Sequence, residues 1–599
     1  TIFNPKANYT TIHGRHTLKL GYEFQQVNTQ INDFNPSYGQ DNYNGLYSSN
    51  GNPANTTPAS GAPNLTSQLQ EARNLADFMF GNRSGYSLTT FAIVNVRQRY
   101  NFMYVQDDIK VSPSLTLNVG LRYEVVTPQY ERDNKLANFD PSTNSLIQAH
   151  GDSIASRAQV NINYTNFAPR FGFAQTLNSK TVVRGGYGVV YAQWNRAGGE
   201  NNLTYNGPNV VNANISSQVA PTPASLCTSD TQVQANCFRQ TQQGYAAGLV
   251  SPANFNPLNV LSRYIPRHNP TGYVQNYFIG FQRELGAGWL VAADYVGNKS
   301  THLQVLGDYN QATPCLLTTG CANVQARRPI SNFQEIEIAS NEGSGTYNSL
   351  QVRTEKRTNL GLFLLNSFTY SRAFDISSGH LETSNGDNSR VNIRNSSQDY
   401  GPSGYDQPLN DTLSLVYDLP YGHGRRFGAN SNYVMNALLG GWQTTLINQI
   451  TSGLPININY SLASSSGLFV SDLVTYRPNR VAGQSIFAPA SNRKRTATGG
   501  TITGYFNTAA FSAPTTYPWG NLSRNVVRST PYYDTDLGVH KVFPLYKERV
   551  NFDFRAEAFN VLNKVNLQAP NATAFGSSFG SVTSAYPARQ LQLAGKIIF

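Results

Sequence analysis

The side chains able to do chemistry are few and scattered along 599 residues. The four cysteines fall as two local pairs, Cys227 with Cys237 and Cys315 with Cys321, each in a stretch rich in Ser, Thr, Gln and Asn. Two such pairs in a low-cysteine chain predict two short-loop disulfides formed in an oxidising compartment. A zinc site would need CxxC-type spacing and histidine partners. The eight histidines are instead dispersed, and His13 and His16 sit at a turn with no carboxylate at ligand spacing. No HExxH, P-loop, dinucleotide fingerprint or GxSxG is present, so neither enzymatic chemistry nor a cofactor nor a coordinated metal is expected. Asp107-Asp108 reads as a rim position beside a turn. Asp534 and Asp536 alternate onto one strand face, where hydrogen bonding to neighbouring strands is the commoner use and cation binding the rarer. The largest charged set is a ladder of residues: Arg122, Glu124, Arg170, Arg184, Arg353, Glu355, Arg555 and Glu557. Its simplest use is pairing across strands.

The elements that carry this ladder have a period of two. Leu115, Leu117, Val119, Leu121, Tyr123 and Val125 share one face, opposite Thr116, Asn118, Gly120, Arg122 and Glu124. Residues 16–24, 182–191, 276–285, 289–295, 349–357, 535–543 and 550–558 repeat the pattern. Strands of about ten residues with one apolar and one charged face are expected of a transmembrane antiparallel β-barrel. Lipid takes the apolar face, and a watery lumen tolerates Arg and Glu. Tyr123, Tyr191, Tyr295 and Tyr370 lie at strand ends, as an interfacial aromatic girdle requires.

Composition agrees. Charged residues are 13% and hydrophobic residues 39%, with 35 Tyr and 31 Phe; a disordered chain lacks aromatics. No apolar run is long enough for a membrane helix, and no basic start followed by an apolar stretch marks a signal peptide. The 49 Gly and 30 Pro supply turns. The net charge of +11 is spread thinly, with clusters only at Arg493-Lys494-Arg495 and Arg425-Arg426. That suits contact with anionic outer-membrane lipid or lipopolysaccharide better than nucleic acid.

Connections sharpen the reading. About 15 strands are expected, joined by alternating short and long segments. Short turns fall at 13–15, 112–114, 177–179, 286–288, 358–360 and 544–548, with a medium one at 422–439. Long loops span 29–96, 128–160, 194–273, 299–346, 375–410, 454–531 and 564–588. Short periplasmic turns opposite long extracellular loops are the arrangement of outer-membrane barrels, which places both cysteine pairs outside the cell. An odd strand count starts the chain on the long-loop rim, so upstream strands are expected. Residues 86–94 read either as a further strand or as loop.

At this point the sequence resembles a known family, the Oar-like TonB-dependent outer-membrane receptors. The resemblance rests on Gly14-Arg15-His16-Thr17-Leu18-Lys19-Leu20-Gly21, Ala76-Asp77-Phe78-Met79-Phe80-Gly81 and Tyr104-Val105-Gln106-Asp107-Asp108. It extends to Phe167-Ala168-Pro169-Arg170-Phe171-Gly172, Gly440-Gly441-Trp442-Gln443 and Ser452-Gly453-Leu454-Pro455. Near the end come Arg555-Ala556-Glu557-Ala558-Phe559-Asn560-Val561-Leu562-Asn563 and the terminal Phe599. It implies that residues 1–599 are the C-terminal portion of a 22-stranded barrel, without the family's plug and signal peptide. It also implies uptake of an extracellular ligand, such as a glycan, peptide or iron chelate, driven through TonB by a segment absent here. The ladder would then dock the plug, and Phe599 would end a strand read by the barrel-assembly machinery. The rival expectations are a passive porin or secretion channel, and a structural or adhesive surface protein.

Overall fold

The computed structural model describes residues 1–32, 36–45, 47–48, 66–193, 203–215, 226–229, 237–315, 323–358, 361–379, 390–463, 466–496, 500–546 and 549–599. Fifteen strands make one continuous meander: β1 (Lys6–His13), β2 (His16–Ile31), β3 (Val94–Ser112), β4 (Leu115–Val126), β5 (Asn166–Asn178), β6 (Thr181–Ala192), β7 (Gly272–Gly286), β8 (Trp289–Asp308), β9 (Ile336–Arg357), β10 (Leu362–Asp375), β11 (Leu409–Asp418), β12 (Trp442–Thr451), β13 (Tyr532–Tyr546), β14 (Val550–Phe559) and β15 (Gln590–Ile598). Each pairs antiparallel with the next. Among the described residues no pairing joins β15 back to β1, so each of these two strands keeps one open edge.

The registers extend the two-residue alternation across the whole sheet. Arg122 stands opposite Ala168, and Arg170 opposite Gly120 and Gly188. Arg184 faces Ala174 and Gly280; Arg353 faces Ala292 and Ser367. Arg555 faces His540 and Ala594; Glu557 faces Gly538 and Gln592. Followed strand to strand, this is one polar face. The opposite face carries Val119 against Phe171, Phe171 against Tyr187, Ile279 against Tyr295, and Leu350 between Tyr295 and Tyr370. These side chains are bare: Phe171 is 48% exposed, Ile279 54% and Tyr370 53%. A contiguous apolar surface of this extent is tolerated in lipid, not in water.

Seven short or medium connections alternate with seven long ones. The strands differ from the expected uniform length, running from 8 residues in β1 to 22 in β9. The segment expected as loop over 299–346 is partly strand, because β8 continues to Asp308 and β9 begins at Ile336. Residues 86–94 do not add a barrel strand. Gly85–Thr89 instead pairs with Gln40–Asn42 and Asn212–Ile215 in a small separate sheet among the long loops.

The long loops bury cores of their own. The connections after β12 and β14 contribute Tyr460, Phe469, Tyr476, Phe506, Phe511, Trp519 and Val582 to the largest cluster. A second gathers Leu136, Val160, Leu203, Ile265 and Leu306. Buried and half-buried arginines hold the loops together, within one connection for Arg83 and Arg328 and between two for Arg477, Arg524 and Arg528. Arg477 meets Asp399 at 2.7 Å and Arg83 meets Asp41 at 2.7 Å. Arg328 bridges Asp308 at 3.0 Å and Glu335 at 3.3 Å. Arg524 pairs with Asp375, and Arg528 with Asp406. Each pair leaves little charge unsolvated and unpaired, which is the condition for burying it. The long-loop rim is therefore a packed cap.

Candidate ligand-binding site at the long-loop rim

Where β12 and β13 reach the long-loop rim, their polar-face residues Gln449, Thr451 and Tyr532 form one wall of a cavity of about 670 Å³. The other walls come from loops: Ser452-Gly453-Leu454-Pro455 and Asn457 after β12, Gln407 before β11, and Gln568 and Tyr586 between β14 and β15. This volume lies within the range of small-molecule sites. Gly453 is required by its surroundings, since a Cβ there would come within 1.9 Å of the Ser529 carbonyl oxygen. The rings of Tyr532 and Tyr586 meet edge to face at 5.0 Å. The Tyr532 hydroxyl donates to Asp534 at 2.9 Å. The Ser584 hydroxyl donates to Gln568 at 2.9 Å.

Among the described residues that line the cavity, none is charged. It offers amides and hydroxyls, each able to donate and to accept. Asn457 is 3% exposed, and its Oδ1 has no hydrogen-bond partner among the described residues. A buried unpaired acceptor is costly, so a donor brought by a ligand would be favoured there.

The charged ladder lies on the same polar face but does not line this cavity. Arg122 Nε donates to Glu124 at 2.7 Å, and Gln193 donates to the other Glu124 oxygen at 2.8 Å. Arg184 reaches Asp294 at 3.5 Å. Glu355 receives Arg353 at 3.1 Å and Arg357 at 2.7 Å. Arg555 pairs with Asp553 at 3.0 Å, beside His540, while Glu557 stands one pleat along on β14. Arg170 borders a second recess of about 680 Å³ on the same face, floored by Gly120, Gly172, Gly186 and Gly188.

Asp107 and Asp108 point to opposite faces. Asp108 takes Lys19 at 2.7 Å and Asn118 at 2.6 Å on the polar side, and Asp107 takes His16 at 2.7 Å on the other. They are not a carboxylate pair. Cys227 and Cys237 are disulfide-bonded, with Cα atoms 5.0 Å apart. Cys315 is disulfide-bonded too, and Cys321 lies outside the described residues. Phe599 ends the chain 98% exposed, beyond β15. Sequence reasoning missed the cavity and the buried arginines. The one signal for the cavity was Ser452-Gly453-Leu454-Pro455, a motif that carried the resemblance and now forms a wall.

The fold and this rim define an outer-membrane barrel, and a family model agrees. The chain belongs to the outer membrane beta barrel domain family, whose model matches residues 1–592; its place is the bacterial outer membrane. No curated protein matches it. Among solved structures it is similar to the outer membrane transporter YddB from Escherichia coli, at 11% identity over 99% of this chain and 53% of that one, with a TM-score of 0.46. It is also similar to the FrpB iron transporter from Neisseria meningitidis, at 12% identity over 100% and 55%, TM-score 0.40. The ferric yersiniabactin uptake receptor FyuA from Yersinia pestis matches at 8% identity over 100% and 53%, TM-score 0.40. The chain spans about half the length of each of these structures.

Proposed function

We propose that this chain is the C-terminal barrel portion of an Oar-like receptor for TonB-dependent uptake, and that the rim cavity captures an uncharged, hydroxyl-rich ligand of the oligosaccharide class. The observation that carries the ligand class is the cavity's neutral lining, with the unpartnered Asn457 Oδ1 and the Tyr532–Tyr586 pair. An anionic iron chelate calls for Arg or Lys at short range, and none lines this cavity. The open edges of β1 and β15 support the rest of the reading. Unpaired strand edges are not viable in hydrocarbon, so further strands complete the wall, and the polar ladder faces a plug within it.

The test uses the full-length protein in proteoliposomes with a panel of neutral oligosaccharides and ferric siderophores. Saturable binding of an oligosaccharide that weakens about tenfold in Tyr586→Ala or Asn457→Ala supports the reading. Binding of the siderophores alone rejects the ligand class. Deleting the TonB-contacting segment should abolish uptake and spare binding; a large, steady conductance in the intact protein would make it a passive channel instead.

A further inference from the structure

The medium connection between β11 and β12 holds a helix, Tyr433–Leu439, whose placement the barrel's own architecture does not demand. Asn432 caps it by accepting from the Met435 amide at 2.8 Å, and Gly440 closes it with a bond to the Asn436 carbonyl at 2.9 Å. Seven residues are too few to hold a helix in water unaided. Its support is the wall of the barrel. Trp442 Nε1 donates to the Leu438 carbonyl at 2.7 Å, and Lys541 Nζ donates to the Ala437 carbonyl. These are two of the carbonyls a helix C-terminus leaves without partners.

Trp442 and Lys541 stand opposite each other in the β12–β13 register, on the apolar face rather than the charged one. Phe543 and Phe554 pack around Trp442 on that face at 6.3 and 6.1 Å. The helix therefore lies outside the barrel, at the short-turn rim. Its remaining surface is apolar and bare: Tyr433 is 82% exposed, Val434 62%, Met435 44%, Leu438 63% and Leu439 50%. By 3.6-residue periodicity Val434, Met435, Leu438 and Leu439 share one side, and Asn436, which accepts from the His423 amide at 2.9 Å, takes the other. Arg425 and Arg426 lie exposed in the same connection, next to Phe427. A second lipid-facing tryptophan at this rim, Trp289, is likewise covered by a lysine, Lys356, at 4.8 Å. Tryptophan–lysine pairs of this kind mark the interfacial level of a bilayer.

We propose that Tyr433–Leu439 is an interfacial membrane anchor, which lays Val434, Met435, Leu438 and Leu439 into the periplasmic leaflet while Arg425 and Arg426 meet its anionic headgroups. The occupant of this surface is phospholipid, because the surface is continuous with the lipid-facing wall and carries the apolar-plus-basic composition of an interfacial helix.

The test places Val434→Cys, labelled with an environment-sensitive dye, in the full-length protein reconstituted in phosphatidylethanolamine–phosphatidylglycerol vesicles. The same label at Tyr38→Cys, on an exposed loop, is the aqueous reference. The expected result is emission blue-shifted from the reference and quenched by lipids brominated near the glycerol. Water-like emission without bromine quenching overturns the proposal. A blue shift that follows protein density and ignores the brominated lipid overturns it too, by showing that a second copy covers the helix. Heat-modifiable migration of the labelled variant, matched to the parent, confirms that the barrel has folded. In a second arm, Arg425→Gln with Arg426→Gln should reduce the extra quenching gained when phosphatidylglycerol is added; no change would remove the headgroup contact.

Discussion

At the scale of single residues, the loop cap is held by buried ion pairs as much as by apolar packing. Arg477 and Asp399 are 3% and 6% exposed in their side chains. Arg477→Ala would leave Asp399 buried and uncompensated, which costs about 3–5 kcal/mol. Limited proteolysis should then cut the loop after β12 while the barrel resists. Tyr476 lies in the same core, its hydroxyl donating to the Ser471 carbonyl at 2.8 Å, and burial pushes the phenol up from 10.0 to about 12. A raised folded value means that the cap keeps this contribution below pH 10 and loses it as the pH climbs to about 12. An absorbance titration of tyrosinate should show a late-titrating class whose ionisation coincides with loop opening. Little of this was legible in the sequence. An isolated Arg in a polar loop looks the same whether it is solvated or paired with a carboxylate 78 residues away, as Arg477 is. The Cys227–Cys237 link was legible because its two partners lie only 10 residues apart.

At the scale of elements, the alternation was legible wherever one strand face meets oil and the other water. β4 shows it along most of its length. Val119, 46% exposed on the apolar face, is the position to challenge. Val119→Arg should cost about 2–4 kcal/mol near the bilayer midplane, read as a lower urea midpoint of folding into vesicles; an unchanged midpoint would mean that the faces are inverted. The upper halves of the long strands were not legible. Residues 336–341 of β9 and 305–308 of β8 are buried throughout, because the cap packs against both of their faces. A strand covered on both sides loses the two-residue signature, and so 299–346 read as loop. The helix Tyr433–Leu439 was hidden for a different reason. It is too short to show a helical period, and its partner is the outer wall.

At the scale of the whole molecule, the fifteen strands among the described residues form one antiparallel barrel wall with an open edge at β1 and at β15. The terminal strand β15 is exposed along all of its residues. If Phe599 ends a strand read by the assembly machinery, Phe599→Ala should lower the amount of folded protein in the outer membrane; unchanged levels would count against that role. The strand count, the order of short and long connections and the lipid face followed from composition and spacing. The cavity did not, since it is assembled from segments about 180 residues apart, from Gln407 to Tyr586, that share no local pattern.

The central claim is that successive residues of each strand face oil and water in turn. It is tested most directly by single spin labels at positions 118 to 122 of β4 in the full-length protein in vesicles, read by accessibility to oxygen and to a water-soluble nickel chelate. Oxygen should dominate at 119 and 121 and the nickel chelate at 118, 120 and 122. Equal accessibility at all five positions, or the opposite alternation, would contradict the account.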